Sequence, residues 1–172
     1  KELQRNETDI VRVGSQGQVI ISEYKTPLTS QTKSRSHQVP RKTTFNFDYA
    51  YDEHSNNEQI YEQSVRPLIH NAFKGAKITC FAYGQTGSGK TYTMKGDLAK
   101  GVPGVYYLGA REIFNLIEQE NTNNSAQFQH LQVQVTFYEI YCGKLYDLLS
   151  NRNVLSIRED HKGQINVLGL NE

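Results

Sequence analysis

Glycine, lysine and threonine recur at a chemically informative spacing between Gly84 and Thr91, where the sequence is Gly-Gln-Thr-Gly-Ser-Gly-Lys-Thr. The spacing matches G-x-x-x-x-G-K-[ST], the pattern of loops that bind phosphate groups. Glycines let the backbone curl until successive N–H groups point at a phosphate, and they leave room for its close approach. The pattern therefore predicts that the Lys90 ammonium binds the β- and γ-phosphates of a nucleotide and that the Thr91 hydroxyl binds Mg²⁺.

Two elements must hold this loop in place. The apolar run at residues 78–83 is typical of a buried central strand, and Cys80 within it is expected to pack as a small apolar side chain. The residues after Gly89 predict a helix, whose free N–H groups and dipole attract phosphate. A chance match in a glycine-rich turn is the alternative, and the flanking strand and helix argue against it.

Three stretches of the chain resemble kinesin motor domains. Residues 81–94, Phe-Ala-Tyr-Gly-Gln-Thr-Gly-Ser-Gly-Lys-Thr-Tyr-Thr-Met, resemble the kinesin phosphate-binding loop, whose aromatic-Gly-Gln-Thr lead-in separates it from the loops of small GTPases and most other ATPases. Residues 138–149, Tyr-Glu-Ile-Tyr-Cys-Gly-Lys-Leu-Tyr-Asp-Leu-Leu, are similar to the kinesin Phe-x-Glu-Ile-Tyr…Asp-Leu-Leu signature. Residues 45–52 look like the Phe-x-Phe-Asp strand of the same family.

This resemblance implies a microtubule-dependent ATPase that uses ATP and Mg²⁺ and has tubulin as its partner. It implies an α/β fold with a mixed central sheet and helices on both faces. Lys90 and Thr91 would be the catalytic residues, and Tyr92 would pack on the adenine, with a partly buried core tyrosine as the alternative. The implied nucleotide-binding residues are Gly84, Gln85, Thr86, Gly87, Ser88, Gly89, Lys90, Thr91 and Tyr92.

The kind of kinesin is indicated by residues 104–114, Gly-Val-Tyr-Tyr-Leu-Gly-Ala-Arg-Glu-Ile-Phe, together with 141–149. Both are most similar to the internal-motor kinesins, which depolymerise microtubules, and depolymerisation is the interpretation we favour. That group carries a Lys-Val-Asp tip on the loop corresponding to residues 25–44, and this chain has no such triplet there. A walking motor and a non-motor tubulin-binding module with little turnover are therefore the alternatives. The flanking residues argue against an unrelated phosphate-loop NTPase or kinase.

We expect residues 1–172 to be a single domain, the amino-terminal part of a motor domain. In kinesins the two nucleotide-sensing switches and the main tubulin-binding helix follow the segments matched here. The resemblance thus implies an incomplete fold that is inactive alone, because the groups that orient the attacking water are missing. The Ser-Arg-Ser-His run at 34–37 is similar to part of the first switch but precedes the phosphate loop, so we do not expect it to touch nucleotide.

Two basic segments are candidates for contacting tubulin. Residues 25–44 predict a loop that contains basic residues and no acidic one, so it suits an acidic partner, although a solvated loop is the favoured alternative on this stretch alone. Residues 158–163 form the tip of a predicted hairpin between 154–157 and 164–170, where kinesins contact microtubules, and a charged solvated turn is the alternative. The candidate contacts are Lys33, Arg35, Arg41, Lys42, Arg158, His161 and Lys162.

Net charge, apolar runs and cysteines give further indications about partners and compartment. The chain has 172 residues and a net charge of +1, so bulk charge does not argue for nucleic acid as a partner. No apolar run is long enough to predict a membrane span. Cys80 and Cys142 give neither a metal pattern nor a disulfide framework, which fits a reducing compartment. The expected localisation is cytoplasmic, on the microtubule cytoskeleton, with the spindle and the cilium as candidate sites.

Local patterns predict the remaining elements of the first part of the chain. Residues 9–13 and 18–21 predict a hairpin, and the aromatic alternation at 45–52 predicts a strand. A capping-box pattern from Ser55 to Glu58 precedes a helix in which Pro67 requires a kink or a late start, with Gly75 as its cap. Glycines and a proline break the pattern at 95–104, before a helix at 105–118.

The last part of the chain predicts mainly strands. Residues 119–129 are polar and predict a loop, and strict alternation predicts a strand at 131–137. A strand, a turn and a short helix are expected over 138–149. Glu139 and Asp147 are expected to be structural partners rather than catalytic acids, because no paired histidine or carboxylate surrounds them in the sequence.

Overall fold

The computed structural model describes residues 9–23, 41–122 and 131–171. The chain divides into two compact units, Lys1–Glu118 and Gln119–Glu172. Among the described residues, the first unit carries the helices and two small sheets, and the second carries one four-stranded sheet. Every strand pair in these residues is antiparallel.

The first sheet consists of β1 (Val11–Val13), β2 (Gln18–Glu23) and β3 (Arg41–Asn46), in that order. The predicted hairpin of β1 and β2 is confirmed. Residues 41–44, predicted as loop, are strand, and the strand predicted over 45–52 ends at residue 46. The reason is pairing with β2, which brings the oppositely charged Arg41 and Glu23 opposite each other at one end of the ladder.

A continuous helical segment follows, made of α1 (Asn57–Ile60), a π-helical turn (Tyr61–Val65) and α2 (Arg66–Phe73). The Asn56 side chain accepts a hydrogen bond from the Gln59 N–H at 2.9 Å. The Gln59 side chain accepts one from the Asn56 N–H, also at 2.9 Å. This reciprocal pair is a capping box that satisfies two N–H groups of the helix start.

The sequence placed this capping box one residue too early, at Ser55 and Glu58. The predicted conflict at Pro67 is resolved by the π-helical turn, because α2 starts late enough for Pro67 to lie in its first turn. Proline has no N–H group to donate, and the turn before it has a π-helical hydrogen bond, from the Arg66 N–H to the Tyr61 carbonyl, so the α-helical pattern starts again only at Arg66. Gly75, with a φ of +89°, follows the end of α2 and donates to the Ala72 carbonyl at 2.8 Å, as predicted for a cap.

The phosphate-loop region continues into α3 (Lys90–Lys95), β4 (Gly96–Asp97), a 3₁₀ turn (Leu98–Lys100) and β5 (Val102–Pro103). The predicted break at 95–104 is therefore confirmed. Next comes α4 (Val105–Thr122), so residues 119–122, predicted as loop, are the end of a helix. The core of this unit lies between the helices and consists of Tyr61, Val65, Ile69, Val105 and Leu108, with Phe73, Met94, Ile113 and Leu116 packed against it.

The second unit is a meander of β6 (Tyr138–Tyr141), β7 (Lys144–Asp147), β8 (Asn153–Glu159) and β9 (Ile165–Leu168). The predicted strand and turn at 138–143 and the hairpin of β8 and β9 are confirmed. The short helix predicted before residue 149 is wrong, because those residues form β7. Its Leu145 is buried opposite Leu155 of β8, a pairing that a helix could not make.

Glu139 and Asp147 have the structural partners that the sequence predicted. The fully buried Asp147 carboxylate accepts hydrogen bonds from the N–H groups of Leu149 at 2.8 Å and Asn171 at 3.0 Å. Glu139 forms an ion pair with Arg152, whose guanidinium lies 5.0 Å from the centre of the Tyr146 ring. These contacts tie the meander together and leave neither carboxylate arranged as a catalytic acid.

Two predicted strands do not form. Residues 78–83 and 131–137 belong to no strand in the described part of the chain. Phe81 is 78% and Tyr83 95% exposed, and Cys80 is exposed as well, so the prediction of a buried strand is wrong for these residues. A strand needs neighbours for its backbone groups, and within the described residues neither stretch belongs to a sheet.

Candidate functional site: a phosphate-binding loop

The glycines of the loop take backbone conformations that other residues disfavour. Gly87 and Gly89 have φ angles of +83° and +91°. A Cβ built on either would meet no atom within 4 Å, so both positions face open space. Gly84 differs, because its Cβ would lie 2.6 Å from Oγ of Ser88. The loop also folds back on itself through a hydrogen bond of 3.2 Å from the Ser88 N–H to the Gln85 carbonyl.

Helix α3 begins directly at the end of this loop. Gly89 is its N-cap in the left-handed conformation, and its carbonyl accepts the first helical bond, from the Thr93 N–H at 2.9 Å. The N–H groups that precede this bond have no partner within the helix. Thr91 is exposed in the same first turn that carries these free N–H groups.

Lys90 reaches back across the loop that precedes it. Its ammonium donates hydrogen bonds to the carbonyls of Gly84 at 2.8 Å and Gln85 at 2.7 Å. The positive charge is therefore held against the glycine turn rather than extended into solvent. An ammonium, a hydroxyl and free N–H groups around open space fit phosphate oxygens and a hard cation such as Mg²⁺.

The structure adds one residue that the sequence reasoning missed. Asn57, at the start of α1, is only 2% exposed. Its side-chain amide donates to the backbone carbonyls of Tyr92 at 2.9 Å and Pro103 at 3.0 Å. These partners lie 35 and 46 residues further along the chain, beyond the reach of local patterns. The one available signal was the Asn56-Asn57 pair, because a single asparagine suffices as a helix cap.

Tyr92 lies on the opposite side of α3 from the core. Its side chain is 51% exposed, whereas Met94, two residues later, packs against the core of the helices. The exposed ring is available for stacking, so the contact with a nucleotide base stays a prediction, as does its alternative, a partly buried core tyrosine.

Comparison with known proteins identifies the family. The model of the kinesin motor domain matches residues 1–172, the whole chain. The chain belongs to the kinesin motor-domain family. Kinesin-like protein KIF24 of Homo sapiens is 39% identical over 172 residues, which are 100% of this chain and 12% of the human protein.

Membership has consequences for the loop just described. Kinesin motor domains have a P-loop NTPase-like α/β fold, bind nucleotide with Mg²⁺ and are microtubule-associated ATPases. The glycine turn, Lys90 and Thr91 are the part of this kinesin chain whose chemistry suits that nucleotide. In the described ranges, no group of three or more His, Cys, Asp or Glu residues is arranged to hold a metal ion. None of the described helices is long and apolar enough to cross a membrane.

The candidate tubulin contacts of this kinesin fall in two places. Arg41 and Lys42 are exposed at the start of β3 and not in the predicted loop, and Lys33 and Arg35 lie outside the described residues. Arg158, His161 and Lys162 are exposed at the end of the hairpin of β8 and β9, Arg158 within the strand itself.

The tip of that hairpin is fixed by Asp160. Its carboxylate accepts hydrogen bonds from the N–H groups of Gln164 at 2.9 Å and Lys162 at 2.8 Å. These donors, with that of Gln164 the larger influence, hold the pKa of Asp160 below its usual range. His161 and Lys162 are thus presented on an ordered turn, next to Arg158 in the strand that leads into it.

Proposed function

We propose that this chain is the nucleotide-binding part of a single motor domain that hydrolyses ATP with Mg²⁺ in response to microtubules. The observation that carries the proposal is the position of Lys90, whose ammonium lies on the Gly84 and Gln85 carbonyls beside the open face of the glycine turn. The fold that we propose for this motor domain is a mixed central sheet with helices on both faces.

The residues of the loop would act together on the triphosphate. Bound Mg²⁺ would neutralise charge between the β- and γ-phosphates. The free N–H groups at the start of α3 would donate to phosphate oxygens, and the Thr91 hydroxyl would bind the cation. Lys90 would exchange two neutral carbonyl partners for negatively charged phosphate oxygens, which attract its ammonium more strongly. Tyr92 would stack on the base.

We propose depolymerisation of microtubules as the activity of the whole protein. It is supported by the likeness of residues 104–114, which form the start of α4, to the internal-motor kinesins. The missing Lys-Val-Asp triplet at residues 25–44 favours the second candidate, a walking motor. Either activity would place the protein in the cytoplasm on the microtubule cytoskeleton, including the spindle and the cilium.

A nucleotide titration tests the role of the loop. A fluorescent ATP analogue with Mg²⁺ is titrated into the full-length protein, into Lys90→Ala and into Lys95→Ala, a control at the other end of α3. We expect the Kd of Lys90→Ala to rise at least tenfold, because a hydrogen bond to a charged group contributes about 1.5–3 kcal/mol. Lys95→Ala should bind like the wild type. Equal Kd values for all three proteins would contradict the proposed site.

A filament assay separates the two proposed activities. Fluorescent stabilised microtubules are observed with ATP over the surface-bound full-length protein. Depolymerisation predicts that filaments shorten from their ends, whereas a walking motor predicts that filaments of constant length glide. Lys90→Ala is the control, and we expect it to do neither.

A further inference from the structure

Asn57 joins three separate pieces of backbone through one side chain. It lies at the first position of α1, and its amide nitrogen donates to the carbonyl of Tyr92 in α3 and to that of Pro103 in β5. Because the residue is 2% exposed, water does not compete for these two bonds. Both hydrogens of the amide are therefore used to connect α1, α3 and the segment that follows α3.

The backbone of the segment beyond α3 packs closely against the end of that helix. A Cβ on Gly104 would lie 2.3 Å from the Lys95 carbonyl carbon and 2.4 Å from the Gly96 nitrogen. The Tyr92 carbonyl also accepts the N–H of Gly96 at the end of α3. Asn57 thus contacts the helix end at the point where the backbone of β4 and β5 crosses it.

Helix α3 has little else to fix its orientation. It has six residues and none of them is buried. Among the described residues, Met94 is the side chain of α3 that packs against the core. Isolated helices of this length are unstable, so tertiary contacts must decide where its first turn points. Lys90 and Thr91 lie in that first turn.

We propose that Asn57 is a positioning residue of the nucleotide site. By fixing the Tyr92 carbonyl, it sets the direction of α3 and so the places of the Lys90 ammonium, two residues earlier, and the Thr91 hydroxyl, one residue earlier. The inference rests on the proposed function, since it assigns Asn57 to the same phosphate-binding loop. It predicts that loss of the amide reduces the free energy of nucleotide binding by more than it reduces the free energy of unfolding.

The test compares the same substitution at two adjacent asparagines in the full-length protein. Asn57→Ala removes both hydrogen bonds to α3 and β5. Asn56→Ala removes the capping box of α1 and leaves those bonds in place. For each variant we measure the thermal unfolding midpoint without nucleotide, the Kd for the fluorescent ATP analogue with Mg²⁺, and the KM for ATP in turnover with microtubules.

The expected result is a split between affinity and stability. Asn57→Ala should raise the Kd and the KM for ATP about tenfold, because two hydrogen bonds of ordinary strength are lost from the support of the site. Asn56→Ala should lower the unfolding midpoint through the lost cap and keep both constants within about twofold of the wild type. Asn57→Ser, which retains one donor, should lie between the wild type and Asn57→Ala, and replaces the latter if it does not fold.

Two outcomes overturn the inference and are distinguishable. If the wild type binds the analogue and both asparagine variants bind it equally well, Asn57 has only a structural role and the proposed function stands. If the wild type does not bind the analogue, the proposed function fails and the inference fails with it.

Discussion

The Lys90 ammonium illustrates how a single side chain prepares a binding site. Its hydrogen bonds to Gly84 and Gln85 hold a flexible side chain in one place before any anion arrives. Ordering such a side chain costs about 2 kcal/mol of conformational entropy, and this cost is met in the folding of the loop. Nucleotide binding then needs only an exchange of partners.

Thr91 offers a test of the cation that the loop is expected to hold. Thr91→Ala removes the hydroxyl, and we expect the Mg²⁺ concentration for half-maximal turnover to rise at least tenfold, because an oxygen ligand is lost. Thr91→Ser keeps the hydroxyl and should behave like the wild type. The measurement is turnover of the full-length protein at fixed ATP over a range of Mg²⁺. An unchanged Mg²⁺ requirement in Thr91→Ala would remove Thr91 from the metal site.

For single residues, the sequence predicted the features that depend on local spacing. It did not predict contacts between residues that are far apart along the chain. The positive φ angles of Gly87 and Gly89 follow from the loop pattern itself. The hydrogen bonds of Asn57 do not, because their partners are brought near by the packing of other elements. Cys80 was expected to be buried for the same local reason and is exposed, because no strand covers it.

Elements are joined in the first unit by a charged cluster between α2 and α4. Oε1 of Glu112 lies 3.0 Å from Nε of Arg66 and 2.9 Å from Nε2 of His70. Nearby, Gly109 faces Ile69, and a Cβ on it would lie 3.4 Å from the Ile69 Cδ1, which brings the two helices close together. The cluster therefore lies at the edge of a tight helix–helix contact.

The pKa of Glu112 makes this contact sensitive to acid. Partial burial alone would raise the pKa, but the hydrogen bonds from Arg66 and His70 outweigh it and lower the pKa from its ordinary 4.5. A carboxylate with a lowered pKa stabilises the fold above its unfolded pKa, and this stabilisation is lost as the pH falls through the folded value. The stabilisation is therefore complete at neutral pH, and its loss occurs in the acid range.

Glu112→Gln tests this dependence. At pH 7 we expect the free energy of unfolding to fall by about 1 kcal/mol, a modest loss because Arg66 is 45% exposed and solvent screens the pair. The difference from the wild type should shrink as the pH drops below 4.5. Glu120→Gln, on the same helix, is the control and should show no such trend. A difference that stays constant with pH would show that the Glu112 charge contributes nothing.

Helices and strands whose apolar residues recur at a regular spacing were predicted best. The apolar recurrence over residues 105–118 predicted α4, and the structure extends it only to Thr122. The break at 95–104 followed from its glycines and proline. The failures came where tertiary pairing overrides a local pattern, as in β7, where the burial of Leu145 against Leu155 decides for a strand.

For the molecule as a whole, the sequence predicted a central sheet that the described residues do not contain. The two apolar segments that should form it, 78–83 and 131–137, belong to no strand within the described part of the chain, and most of their residues are exposed. Sheet strands are defined by their neighbours, so a local pattern predicts their tendency and not their pairing. Since the chain spans 12% of the length of the human relative, the activity of the whole protein is a proposal.

We propose that ATP turnover at the Gly84–Thr91 loop is coupled to microtubules. The most direct test is the steady-state ATPase rate of the full-length protein as the microtubule concentration increases. We predict that the rate rises and saturates, and that Lys90→Ala abolishes the rise while Lys95→Ala preserves it. A rate that ignores microtubules while nucleotide still binds would contradict the motor function and leave a tubulin-binding module with little turnover in its place.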